Sequence, residues 1–172
     1  MPDGDWIQTV SGKRVDLSNP NLETIDILDI AYALSQICRY TGHSNKFYSV
    51  AEHSIRVSQI VSPELRLHAL LHDASEAYIQ DISRPLKNLI PAYKKLEDNL
   101  SEVIFAKWLK HRDEAVVKKA DYILLATEGR DLMRNTEGWY LPESPLARRI
   151  IPLSSTLARQ IFLNIFVNEG GF

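Results

Sequence analysis

The chain has 172 residues, 45% of them hydrophobic and 24% charged, with a formal net charge of −2. That is one ordinary domain with apolar material enough for a core, and it lacks the basic excess of a protein that grips polyphosphate backbones, so nucleic acid is a poor partner. A single cysteine excludes an intrachain disulfide; with no basic, apolar leader and no run near the roughly 20 apolar residues of a membrane span, a cytoplasmic protein without a membrane partner is expected.

Residues 1–20 carry turn residues (Gly4, Ser11-Gly12, Ser18-Asn19-Pro20) and no helical period. They read as an irregular lead-in to a single domain spanning 1–172, with Trp6, Ile7 and Val10 to pack. From Leu22 to about Arg39, Ile27, Ile30, Ala31, Leu34, Ile37 and Cys38 recur at three- and four-residue steps, the mark of an amphipathic helix. Cys38 there reads as a small buried side chain rather than a nucleophile. The stretch Thr41–Asn45 breaks the helix, and Ser49-Val50-Ala51-Glu52 restarts one with a capping box. Ser62-Pro63 opens the next helix, which carries Leu67, Leu70 and Leu71 to about Tyr78. Asp81–Pro91 reads as a loop. Helices are expected over Ala92–Lys110, Glu114–Met133 and Leu157–Val167, the last two separated by the polar stretch Asn135–Pro152. With no alternating strand pattern, the fold class is all-α, a compact helical bundle.

His72 and Asp73 close the leucine run Leu70-Leu71, where ionisable groups are costly unless paired or bound to metal. Alone, a His-Asp dipeptide means little. His53 at the start of the preceding helix and Asp121 within Lys119-Ala120-Asp121-Tyr122-Ile123-Leu124 change that. Two imidazoles and two carboxylates on three helices can close around a divalent cation and leave positions open for water and a phosphate oxygen.

This order of His, His-Asp and Asp resembles the signature of the HD-domain phosphohydrolases. Around it, His72-Asp73-Ala74-Ser75-Glu76, then Asp81, then Arg84-Pro85-Leu86-Lys87 is similar to the segment found in HD-domain 5′-deoxynucleotidases. Ser49–Ser54 resembles the block holding that family's first metal ligand, and Arg39-Tyr40 stands where the family has an arginine and an aromatic residue, usually tryptophan. Small HD-domain dATP triphosphohydrolases of phages that replace adenine by diaminopurine share the constellation. The resemblance runs from about Asp29 to Arg130 and implies an HD-domain bundle with metal ligands His53, His72, Asp73 and Asp121.

Glu76, one turn beyond His72 on a continuous helix, would share the metal face and hold the attacking water, as general base or through a second cation. Asp81 would orient water, protonate the leaving oxygen or join that second cation; otherwise it caps a turn. Arg39 is expected to clamp phosphate, Lys87 to add a point charge, and Tyr40 to stack on a base. His68 and His43 are weaker candidates. Glu52 is accounted for by its capping box, and Glu128 with Arg130 reads as a structural ion pair.

The expected partner is a small-molecule nucleotide, with a homo-oligomer also open, and the cofactor a divalent Mn, Co, Zn, Fe or Mg ion. The leading activity is removal of phosphate from a deoxynucleoside 5′-monophosphate. The alternatives are a dNTP triphosphohydrolase releasing triphosphate and a non-catalytic nucleotide sensor. The Gly-Tyr-Pro motif of the cyclic-dinucleotide branch is missing.

Overall fold

The computed structural model describes residues 4–171; the first three residues of the lead-in and the final residue of the chain lie outside the described residues. The elements run β1 (Trp6–Gln8), β2 (Arg14–Asp16), α1 (Ile27–Gln36), α2 (Val50–Ser58), α3 (Arg66–Leu71), α4 (Glu76–Ile79), α5 (Arg84–Leu89), α6 (Pro91–Trp108), α7 (Glu114–Leu132) and α8 (Ser155–Asn168). The all-α expectation holds for everything after the lead-in.

The lead-in is not irregular throughout. Strands β1 and β2 form a small antiparallel hairpin pairing Trp6 with Asp16, Ile7 with Val15 and Gln8 with Arg14. Three-residue strands are too short to show an alternating pattern. The hairpin is pinned to α1 by Asp29, whose carboxylate accepts from the backbone N–H (2.9 Å) and the hydroxyl (2.7 Å) of Ser11.

Helix α1 starts five residues later than its apolar period suggests, because Asp26 is its N-cap and accepts from Leu28 N–H at 2.8 Å. Helix α2 begins where expected, with Ser49 Oγ accepting from Glu52 N–H at 3.1 Å. Only half of the capping box forms. The Glu52 carboxylate turns instead to Arg56 (2.6 Å) and to the backbone N–H of Leu153 (2.8 Å), tying α2 to the strand-like approach to α8.

The helix expected from Ser62 to Tyr78 is broken in two. After α3 ends at Leu71, Ala74, Glu76 and Tyr78 donate to carbonyls three residues back, a tighter winding than the α-helix. His72 and Asp73 therefore sit at a helix end rather than mid-helix. The Asp81–Pro91 loop contains α5, with Pro85 in the first turn, where its missing N–H costs nothing.

Two apolar clusters meet at α2. Ala51 and Ile55 join Ile30, Leu34, Leu70, Phe162 and Phe166 in the main core built by α1, α3 and α8. Val57 joins Tyr48, Ala69, Val117 and Leu124 in a second cluster between α2, α3 and α7. The middle of α2 is thus enclosed on both sides, and His53 lies there, fully buried.

Candidate metal centre

Each imidazole of the site is oriented by one ring nitrogen and leaves the other without a hydrogen bond. His53 Nδ1 lies 2.7 Å from Glu128 Oε1, and His72 Nδ1 lies 2.8 Å from the Ala69 carbonyl oxygen. A ring whose Nδ1–H donates presents a lone pair at Nε2. Both Nε2 atoms are buried and without a hydrogen bond. Asp73 Oδ2 stands between them, 3.5 Å from His53 Nε2 and 3.3 Å from His72 Nε2.

Ligand atoms of His53, His72 and Asp73 all lie within 4.8 Å of one another, an arrangement that could hold a metal ion. Asp121 reaches this trio through His53, its Oδ1 3.4 Å from Nε2, while Lys118 holds its Oδ2 at 2.7 Å. The expected four residues therefore come together, the first three more closely than Asp121. The floor, His53 and Glu128, is sealed, whereas the Asp73 side chain is 22% exposed, so the cluster opens on that side.

The electrostatics favour a positive charge at this point. Burial and Arg39 work against protonation of His53, yet Glu128 and Asp121 push it up to about 9. Burial raises Asp73, Asp121 and Glu128, but the imidazoles and, for Asp73 and Glu128, Arg39 hold them below the ordinary carboxylate range. Burial above all pushes His72 below the ordinary histidine value. An anionic pocket with two imidazole nitrogens free of hydrogen bonds fits a cation.

Glu128 is the residue that the sequence reading misplaced. It makes no pair with Arg130, which binds Asp131 instead. Its Oε1 holds His53; its Oε2 accepts from the Tyr40 hydroxyl and lies 3.5 Å from Arg39 Nε. The available signal was spacing: seven residues, two turns, put it on the Asp121 face of α7.

Arg39 joins the cluster, with Nη1 3.4 Å from Asp73 Oδ2. Tyr40 does not present a free ring: it stacks on Trp139 with centroids 5.8 Å apart, and its hydroxyl is committed to Glu128. Tyr40 and Thr41 both have left-handed backbone (φ 58° and 53°), a conformation found at functional sites. Glu76 is buried, with Oε1 held by Lys87 Nζ at 3.3 Å and Oε2 without a hydrogen bond. Burial, with Asp73 and Asp81 adding, raises its carboxyl well above the ordinary range.

Lys87 is not a free point charge, since Glu97 also holds it at 2.6 Å. Asp81 lies in the extended link after α4. His68 is packed, its Nδ1 accepting from Asp113 N–H at 3.2 Å and its ring edge-on to Phe105. His43 is exposed, and Cys38 is half-buried.

The fold and site define a mostly helical protein with a His-His-Asp cluster, buried at His53 and half-buried at His72 and Asp73, that could hold a metal ion; among the described residues no helix is long and apolar enough to cross a membrane. No family model matches the chain. It is 43% identical over 166 residues to the uncharacterized protein YfdR of Escherichia coli (strain K12), covering 94% of this chain and 93% of that protein. It is 35% identical over 113 residues to the uncharacterized protein RCAP_rcc00048 of Rhodobacter capsulatus, covering 60% of this chain and 58% of that one. The chain belongs to the family of YfdR.

Proposed function

We propose that the chain is a metal-dependent phosphohydrolase of the HD-domain type acting on deoxynucleoside 5′-phosphates, and within that class a 5′-deoxynucleotidase. The observation that carries this reading is the pair of buried Nε2 atoms of His53 and His72, free of hydrogen bonds, on either side of Asp73. Asp121 completes the donor set. Two imidazoles and two carboxylates suit Mn, Co, Zn, Fe or Mg. When bound, such an ion polarises a phosphoryl oxygen and supplies a nucleophilic water at neutral pH.

The chain's own groups do the remaining work. Arg39, held at Asp73, brings a guanidinium to the edge of the cluster, where it can offer two N–H donors to phosphate. Glu76, which feels the charges of Asp73 and Asp81, and Asp81 itself would exchange protons with water and the leaving oxygen. Lys87 keeps Glu76 in place, its positive charge shared between the Glu76 and Glu97 carboxylates.

The test is a panel of deoxynucleoside and ribonucleoside mono-, di- and triphosphates, with the released fragment identified. Inorganic phosphate from the monophosphates, dependent on added metal, is the expected result. Triphosphate released from dNTPs would move the activity to the triphosphohydrolases, and binding without turnover would make the chain a sensor.

A further inference from the structure

A cavity of about 490 Å³ lies between the hairpin, α1 and the link after α4, within the roughly 300–1,000 Å³ of small-molecule sites. None of the four expected metal ligands lines it, yet it adjoins them. Cys38 and Thr41 line it, bracketing Arg39 and Tyr40, whose side chains turn the other way to Asp73 and Glu128. Asp81 belongs to both places: it lines the cavity, and its charge acts on Glu76 and Arg39.

The chemistry of the lining sorts its ligands. Its charged residues are Asp29 and Asp81, and no lysine or arginine is among the lining residues, so a phosphate is repelled. Gln8, Gln36 and Gln80 are among the lining residues, and a carboxamide is both donor and acceptor, which is what the edge of a neutral heterocycle needs. Ile7, Val10 and Ala33 add apolar wall, with Val10 61% exposed at the rim for want of anything covering it. Tyr78, 6% exposed, has a hydroxyl without a hydrogen bond of normal geometry, and the Asp26 backbone and the Asp29 carboxylate act on it. Thr41 and Gln80, two of the non-glycine residues with left-handed backbone (φ 53° and 74°), both border this space.

We propose that this cavity receives the uncharged nucleoside part of the substrate, base and sugar together, with the N-terminal hairpin as one wall, while phosphate lies at the metal centre. This rests on the reading of the chain as a nucleotide phosphohydrolase. It gives the hairpin a job in selecting substrate, and it explains how a nucleoside is held although the Tyr40 ring is already stacked on Trp139.

The experiment is calorimetric titration of the purified chain, with whatever metal it carries, by 2′-deoxyadenosine and by thymidine, which have no phosphate to hydrolyse. Two variants are compared with the parent: Ala33→Phe, which fills the cavity, and Gln36→Leu, which removes an amide at an exposed position. Binding by the parent, weakened about tenfold in Gln36→Leu and at least as much in Ala33→Phe, is expected. Melting temperature and metal content of Gln36→Leu should match the parent. If neither nucleoside binds the parent at millimolar concentration, or if Gln36→Leu binds like the parent, the cavity is not the nucleoside site. Nucleoside binding is read without turnover. A chain that hydrolyses nothing yet binds nucleoside here would overturn the phosphohydrolase reading alone, and one that hydrolyses phosphate esters yet binds no nucleoside would overturn this inference alone.

Discussion

At the scale of single residues, Glu128 holds the site together. One oxygen aligns His53 and the other gathers Tyr40 and Arg39, so a fully buried carboxylate is satisfied by three groups from two other segments. Such a partner behind a ligating histidine fixes the ring's tautomer and raises its basicity. Glu128→Gln should therefore leave the fold intact but weaken metal affinity by roughly 10–100-fold, measured by competition with a chelating dye. Unchanged affinity would reduce Glu128 to a packing residue. Glu76 makes the complementary case. It is buried and tied to Lys87 but reaches neither imidazole, so Glu76→Ala should keep metal while turnover falls by about 100-fold or more. Steady-state rates beside metal analysis of the same sample separate the two effects, and near-normal rates would remove Glu76 from the chemistry.

At the scale of elements, the end of α7 carries the stretch that leads to α8. Asp131 accepts from Arg130 (2.8 Å), Arg149 (2.9 Å) and the backbone N–H of Ile150 (2.8 Å), and Arg130 bonds the Leu146 carbonyl at 2.6 Å. The Arg130 hydrogen bond above all, with Ile150 and Arg149 adding and burial opposing, holds the Asp131 carboxyl down at about 2. A depressed folded-state value means the stabilisation is present in full above the unfolded aspartate value near 3.9 and is lost as pH falls from there through about 2. Asp131→Asn should cost roughly 1.5–3 kcal/mol near neutrality, and its difference from the parent in urea titrations should shrink below pH 4. Gln80 ends α4 with φ 74° and ψ 155°, a region that suits glycine. Gln80→Gly should raise unfolding free energy by roughly 1 kcal/mol in the same titrations, and a loss instead would show that its side chain holds more than its backbone costs. These elements also mark where sequence reasoning stopped. The cap Ser49 and the long helices α6 and α7 were legible from local pattern, whereas Asp113 shows itself as the N-cap of α7 only in the structure. Helix α5 was hidden because Pro85 reads as a breaker unless its place in the first turn is known. The hairpin was hidden because its strands are three residues long.

At the scale of the whole molecule, the site exists because α2 is clamped between two apolar clusters. Its buried middle brings His53 to the end of α3 and to the inner face of α7. The metal-ligand types were legible, since histidines and aspartates stranded in leucine-rich helices announce a cost that something must offset. The role of Glu128 and the commitment of Tyr40 to Trp139 were not. Both depend on contacts between distant stretches of chain, 75 residues apart for His53 and Glu128 and 88 for Tyr40 and Glu128, that only the packed fold creates. His53, His72 and Asp73 form a cluster that could hold a metal ion, on which the proposed activity depends. Elemental analysis of the purified chain beside His53→Ala, His72→Ala and Asp73→Ala, each dialysed against the same manganese buffer, tests it most directly. A stoichiometric ion in the parent and none in the three variants is the expected result. Full occupancy in any folded variant, or no ion in the parent, would contradict it.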